Sequence, residues 1–253
     1  APALVRLEGY RSVHGLVSKY FRNEKLRILF SFHPLLVGGN PFTTTSFYCL
    51  ISHLERTFGV HWAMGGTGAL IRGLAGLVQG QGGTLRYGAE VERITTDGRR
   101  ATGVRLASGE TLAADVVVSN ADAAWTYSRL LGTHPRRRWT DRRLERARYS
   151  AGLFVWYFGT NRRWDEVRHH TILMGPRYQG LVHDIFTTKR LADDFSLYLH
   201  RPTATDPSLA PPGCDAFYVL SPVPHLGSGT DWATRAEGYR AAIERKLEET
   251  ILP

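Results

Sequence analysis

The hydrophobic positions of this chain change their period along its length. From Leu4 to Phe21 they fall at Leu4, Leu7, Tyr10, Val13, Val17 and Phe21, a spacing that predicts a helical stripe. Asn23 is placed to cap a second helix from Glu24, which carries Leu26, Leu29 and Phe30. Thr43 to Thr45 offer capping hydroxyls for a third, with Leu50, Ile51, Leu54 and Phe58 as its buried stripe and Gly59 at its end. An extended stretch, Val60 to Ala63, leads into Gly65-Gly66-Thr67-Gly68 and a fourth helix that buries Leu70, Ile71, Leu74, Leu77 and Val78. From Thr84 the period becomes two: Val91 and Ile94, then Val104 and Leu106, with turns at Asp97-Gly98 and Ser108-Gly109, predict a hairpin or meander.

The β-branched run from Asp115 to Asn120 predicts a strand covered on both faces, with a helix starting at Ala121-Asp122. Aromatic-rich segments at Leu153–Phe158, His170–Met174, Ser196–His200 and Ala216–Leu220 predict an antiparallel sheet with one packed face. A helix from about Leu181 to Phe186 interrupts it, and a helix from about Trp232 to Ile251 with Tyr239, Ile243 and Leu247 on one face closes the chain. The fold class expected is α/β with α+β character, a helical layer joined to mixed and antiparallel sheet.

The second and third predicted helices are joined by Ser31–Phe42, where Pro34, Gly38-Gly39 and Asn40-Pro41 break regular structure. Phe30, Phe32, Leu35, Leu36, Val37 and Phe42 cluster around this bend. Such a surface suits either a core corner between two helices or the wall of a long apolar cavity.

Composition narrows the class. Of 253 residues, 43% are hydrophobic and 22% charged, the balance of a globular protein. No apolar run approaches the ~18 residues of a spanning helix. Cys49 and Cys214 form neither a disulfide framework nor a metal-binding spacing, so a reduced, cytoplasmic setting is expected. The net charge of +9 is concentrated in Arg136-Arg137-Arg138, Arg142-Arg143, Arg146 and Arg148. No stacking aromatics are interleaved there in a nucleic-acid pattern, which leaves a solvated face or an anionic membrane surface.

Candidate chemistry is sparse. A glycine-rich turn at a helix start offers free amides to a phosphate or a ring edge, although most such turns are merely tight connections. His33 and His225 stand in apolar blocks, where a hydrogen-bonded boundary histidine is the ordinary outcome. His169 and His170, as neighbours on a strand, are expected to point apart, and there is no H-E-x-x-H. No G-x-S-x-G elbow, P-loop or complete G-x-G-x-x-G is present.

Five blocks carry a family likeness: FSFHPLLVGGNPF from Phe30, HWAMGGTGALIRGL from His61, VVVSNADAAWTY from Val116, DFSLYLHRP from Asp194 and YVLSPVPHLG from Tyr218. Together they resemble the bacterial-type phytoene desaturases, FAD-dependent enzymes of carotenoid synthesis. The resemblance implies a two-domain flavoprotein of the amine oxidase type, with phytoene as substrate and peripheral attachment to a membrane. It implies a helical part of the substrate- or membrane-binding region over residues 1–60, part of the FAD-binding region over 61–132, and a substrate-binding region over 133–253. It places Gly65, Gly66, Gly68, Val91 and Asn120 at the cofactor, and Phe30, Phe32, His33, Leu36 and Phe42 at the substrate. It also implies that the catalytic groups lie upstream of Ala1, the chain being an internal stretch inactive alone. A carotenoid isomerase or amine oxidase-like enzyme is the nearest alternative; a non-catalytic basic membrane-binding module is the alternative from another class.

Overall fold

The computed structural model describes residues 5–132 and 134–253, so Leu4 of the first stripe lies outside the described residues. Two compact units divide the chain: Ala1–Ile71 with Tyr149–Pro253, and Arg72–Arg148.

The first unit opens with α1 (Val13–Tyr20) and α2 (Glu24–Ser31). Ser12 caps α1 by accepting from Gly15 N–H, and Asn23 caps α2 by accepting from Lys25 and Leu26. The stripe from Leu4 to Phe21 is therefore not one helix. Glu8 takes a positive φ of 55°, which a right-handed helix cannot contain, and Leu7 and Tyr10 are left exposed. Short 3₁₀ turns at His33–Val37 and Ser46–Cys49 flank the bend, and α3 (Leu50–Phe58) follows. The unit boundary falls within α4 (Gly66–Gly80). Both helices keep the predicted apolar stripe but do not bury it: Leu50, Leu54, Phe58, Leu70, Ile71, Leu74, Leu77 and Val78 are all exposed. The periodicity is helical as expected, yet the partner surface that burial requires is not supplied by the elements described.

In the second unit, β1 (Val91–Thr96), β2 (Ala101–Leu106) and β3 (Thr111–Ala113) form the expected antiparallel meander. Asp97 Oδ1 accepts from the Arg99 and Arg100 amides and fixes the first turn. The strand expected over Asp115–Asn120 does not form; Val116 and Val118 are 76% and 89% exposed. Its β-branched residues favour extended backbone, but a strand needs a ladder partner, and none is paired with it here.

The first unit resumes with a four-stranded sheet built from β4 (Gly152–Thr160), β5 (His170–Leu173), β6 (Leu197–His200) and β7 (Asp215–Val223), in the order β4-β7-β6-β5 and antiparallel throughout. Helix α5 (Tyr178–His183), extended by a π-turn over Asp184–Thr188, lies between β5 and β6 in sequence. Strict alternation on β4 and β7 sends Phe154, Trp156, Phe158, Phe217, Val219 and Val223 to one face. There they meet Tyr239, Ile243 and Leu247 of α6 (Trp232–Glu248), the stripe read from the sequence. This is the main core, and Ser221 hydrogen-bonds Tyr239 across it at 2.8 Å.

Candidate functional site

Alternation also fixes what the second face of this sheet presents. Leu153, Ile172, Tyr198, Tyr218, Leu220 and Pro222 line a groove of about 270 Å³, and Phe32, Leu35 and Leu36 of the bend form its opposite wall. The bend can approach because Gly38 takes a positive φ of 73°, and a Cβ there would come within 2.7 Å of Ser150 Cβ. Two of the five expected substrate residues, Phe32 and Leu36, thus meet in the groove. Phe30 stacks on Phe21 at 4.8 Å, and Phe42 packs on His14 at 4.5 Å and Tyr178 at 5.9 Å. Those two serve the corner between helices. His33 is buried beside Phe32, its Nε2 3.4 Å from a Glu55 carboxylate oxygen. His225 caps the Leu226–Ser228 turn, its Nδ1 accepting from Gly227 N–H at 3.0 Å.

Along the same face the groove gives way to polar aromatics. Tyr218 contacts Tyr198 at 5.9 Å and His200 at 4.4 Å between ring centroids. Burial pushes the Tyr198 phenol up, helped by the Tyr218 hydroxyl beside it. His170 and His200 are register partners at the end of β5 and β6, and His169 precedes β5. Here the expectation that His169 and His170 point apart fails: their rings lie 4.4 Å apart, because alternation governs only residues inside a strand and β5 begins at His170. His169 Nε2 is 2.8 Å from His200 Nε2. Burial, then the two neighbouring imidazoles, pushes His200 down to about 4. Partial burial lowers His169 and His170 as well.

Trp62 joins this cluster to the glycine turn, with its indole 4.9 Å from His169 and 5.3 Å from His200. Gly65 and Gly66 have φ of 82° and 74°, which explains glycine at both. The Gly65 amide donates to Asp206 Oδ2 at 2.6 Å, and Gly66 N–H donates to Ala63. Hydrogen bonds from Ser208 and then from Gly65 hold the Asp206 carboxyl below its usual range. Gly68 lies inside α4 and is exposed.

In the second unit, Val91 opens β1 opposite Leu106, and Asn120 is exposed in irregular backbone after Val118. A cavity of about 440 Å³ is lined by Ile94, Thr96, Val117, Ser119 and Tyr127 among others; neither Val91 nor Asn120 lines it. The basic segment is partly spoken for. Arg136 pairs with Asp141 at 2.6 Å, and Trp139 is stacked on Tyr127 with the Arg143 guanidinium 4.5 Å above its ring. Arg137, Arg138, Arg142 and Arg146 are exposed.

Comparison with known proteins defines the class. The family model for flavin-containing amine oxidoreductases matches residues 1–242. The chain is 51% identical over 255 residues to a neurosporene-forming phytoene desaturase of Cereibacter sphaeroides, covering 99% of this chain and 49% of that protein. It is 51% identical over 253 residues to a lycopene-forming phytoene desaturase of Pseudescherichia vulneris, covering 100% and 51%. Among solved structures, an oxidoreductase from Methanosarcina mazei superposes with a TM-score of 0.63 at 20% identity, over 94% of this chain and 51% of that one, a likeness of fold. The chain belongs to the flavin-containing amine oxidoreductase family, and it spans about half the length of the curated relatives it matches.

The glycine turn does not fit the pyrophosphate of a dinucleotide flavin, because the Gly65 amide is taken by Asp206, whose negative charge would repel phosphate.

Proposed function

We propose that this chain carries the polyene-binding face and part of the flavin-facing wall of an FAD-dependent phytoene desaturase, acting with sequence of the kind its relatives carry beyond the shared half. The observation that carries this reading is the identity of 51% to two phytoene desaturases along essentially the whole chain. The apolar groove supports it, since a C40 hydrocarbon offers no polar group and must be held by shape and burial alone. When bound, FAD supplies the electron acceptor, a role that no side chain can fill. The chain's own residues orient the polyene between Phe32 and Leu36 on one side and Leu153, Ile172 and Leu220 on the other, and keep water from it. In this reading Gly65 and Gly66 border the ring system, and Val91 and Asn120 contribute from the second unit.

Delivery from a membrane belongs to the same proposal. No helix among the described residues is long and apolar enough to cross a bilayer; in this reading a lipid-dissolved substrate is taken up at the membrane surface. Arg137, Arg138, Arg142 and Arg146 are exposed cations of the basic segment that could meet anionic headgroups, each worth about 1 kcal/mol when suitably placed.

The test uses the complete natural protein, reconstituted with FAD, on phytoene-loaded anionic vesicles. Coloured polyenes are expected to form, and Leu36→Trp, which fills the groove from an exposed position, should cut their formation at least tenfold without lowering the melting temperature. Raising the salt, or replacing the four arginines by serine, should release the protein from the vesicles. Failure to oxidise phytoene under any of these conditions, or full activity in Leu36→Trp, would overturn the reading.

A further inference from the structure

The three imidazoles at the end of the open sheet face are arranged more tightly than sheet packing requires. One nitrogen from each of His169, His170 and His200 lies within 4.8 Å of the other two. His169 Nδ1 is held by Thr205 Oγ1 at 2.5 Å and His170 Nδ1 by the Tyr198 hydroxyl at 2.6 Å. His200, 5% exposed, keeps a buried Nδ1 with no hydrogen-bond partner. We propose that His169, His170 and His200 form a binding site for a divalent transition-metal cation, with three imidazole ligands and a further position open.

The donor set selects the ion. Imidazole suits zinc, cobalt, nickel and copper, whereas magnesium and calcium need oxygen ligands, which the trio lacks. Ligating histidines normally have their second nitrogen held by a hydrogen bond that fixes ring and tautomer, and Thr205 and Tyr198 already do this for two of the three. The closest pair, at 2.8 Å, would open to about 3.3 Å, the separation of two nitrogens on a tetrahedral zinc at about 2.0 Å. His170 is exposed and can swing the remaining distance. A hydrogen bond between His169 and His200 accounts for two rings without metal, but leaves the convergence of the third, and its anchoring by Tyr198, without a purpose.

The ion would tie the residue before β5 to the end of β6. It would also fasten the chain leading from His200 through Thr205 to Asp206, the residue that holds the Gly65 amide. The site would thus stiffen the base of the glycine turn. Nothing in it depends on flavin or polyene, so it stands or falls apart from the proposed reaction.

Tag-free protein, stripped with a chelator and dialysed, is titrated with zinc chloride by calorimetry and with cobalt chloride by visible absorption. One ion per chain is expected, with the visible bands of four-coordinate cobalt. His170→Ala removes an exposed ring and leaves the core intact; it should weaken binding at least about tenfold. Thr205→Val should cost about 10–100-fold through loss of the outer hydrogen bond. His53→Ala, exposed on α3, should change nothing. Absence of stoichiometric uptake, or uptake equally strong in His170→Ala, or equally weakened in His53→Ala, would overturn the proposal.

Discussion

Arg201 is among the most enclosed side chains of the first unit, at 2% exposure, and its whole guanidinium is spoken for. Its Nε donates to Asp215 Oδ2 at 2.9 Å, one terminal nitrogen to the Val167 carbonyl at 2.8 Å and the other to Asp165 at 3.2 Å. Asp215 accepts in addition from Trp164 N–H at 2.7 Å and the Thr203 hydroxyl at 2.6 Å. Removing one partner strands a buried charge, so Asp215→Ala should destabilise by about 3–5 kcal/mol in urea unfolding. Arg201→Lys should recover little of the loss in an Arg201→Ala variant, because an ammonium cannot reach three acceptors in a plane. A loss under 1 kcal/mol for Asp215→Ala would mean that water enters to replace the carboxylate. No sequence pattern announces this pair, fourteen residues apart, one just after β6 and the other at the start of β7. The histidine trio escaped for the same reason: it depends on the register of β5 against β6 and on where β5 begins, which residue types do not encode locally.

At the scale of elements, caps and turns were the legible part. Asn23, Asp97 and Gly59 act as their chemistry predicts, and the stripe Tyr239, Ile243 and Leu247 faces the sheet. What failed was burial. The stripes of α3 and α4 and the run Val116–Val118 say which face seeks a partner, never whether one is supplied. The bend at Ser31–Phe42 divided between its two readings, since one turn of chain sends Phe32 and Leu36 to the groove and Phe30 and Phe42 to the corner. The π-turn after α5 carries a prediction of its own. Asp184 is buried and paired with Arg190 at 2.9 Å and Arg177 at 3.1 Å, and hydrogen bonds from Arg190 first, then Arg177, hold its carboxyl below the usual range. A depressed folded-state value favours folding above the unfolded pKa of about 3.9, and that contribution is lost as pH falls through the folded value. Asp184→Asn should therefore be less stable than the parent at neutral pH, with the gap closing below about pH 4. Urea midpoints measured across pH decide it; a gap of constant size would show that the pairing contributes nothing through ionisation.

At the scale of the molecule, the two units carry flavin-facing candidates separately: Gly65 and Gly66 in the first, Val91 and Asn120 in the second. Family membership was legible because whole blocks such as Phe30–Phe42 and Tyr218–Gly227 can be read as strings, whereas the binding capacity of this half alone is a question of charge and amides. A dinucleotide flavin presents its charge at the pyrophosphate, and tight binding needs unpaired amides at a helix start. Among the long helices described, α4 is the one that opens on glycines, and two amides at its entry are already bonded. Asp206 accepts from Gly65 N–H, Ala63 accepts from Gly66 N–H, and hydrogen bonds from Ser208 and then Gly65 hold the Asp206 carboxyl below its usual range. The purified 253-residue chain should consequently be colourless, and adding FAD should leave its fluorescence unquenched. Asp206→Asn should not create binding, since the same amide would then meet the neutral side-chain oxygen. A yellow preparation with one flavin per chain would show that ring-edge contacts from these residues suffice, and that the pyrophosphate is not what decides retention.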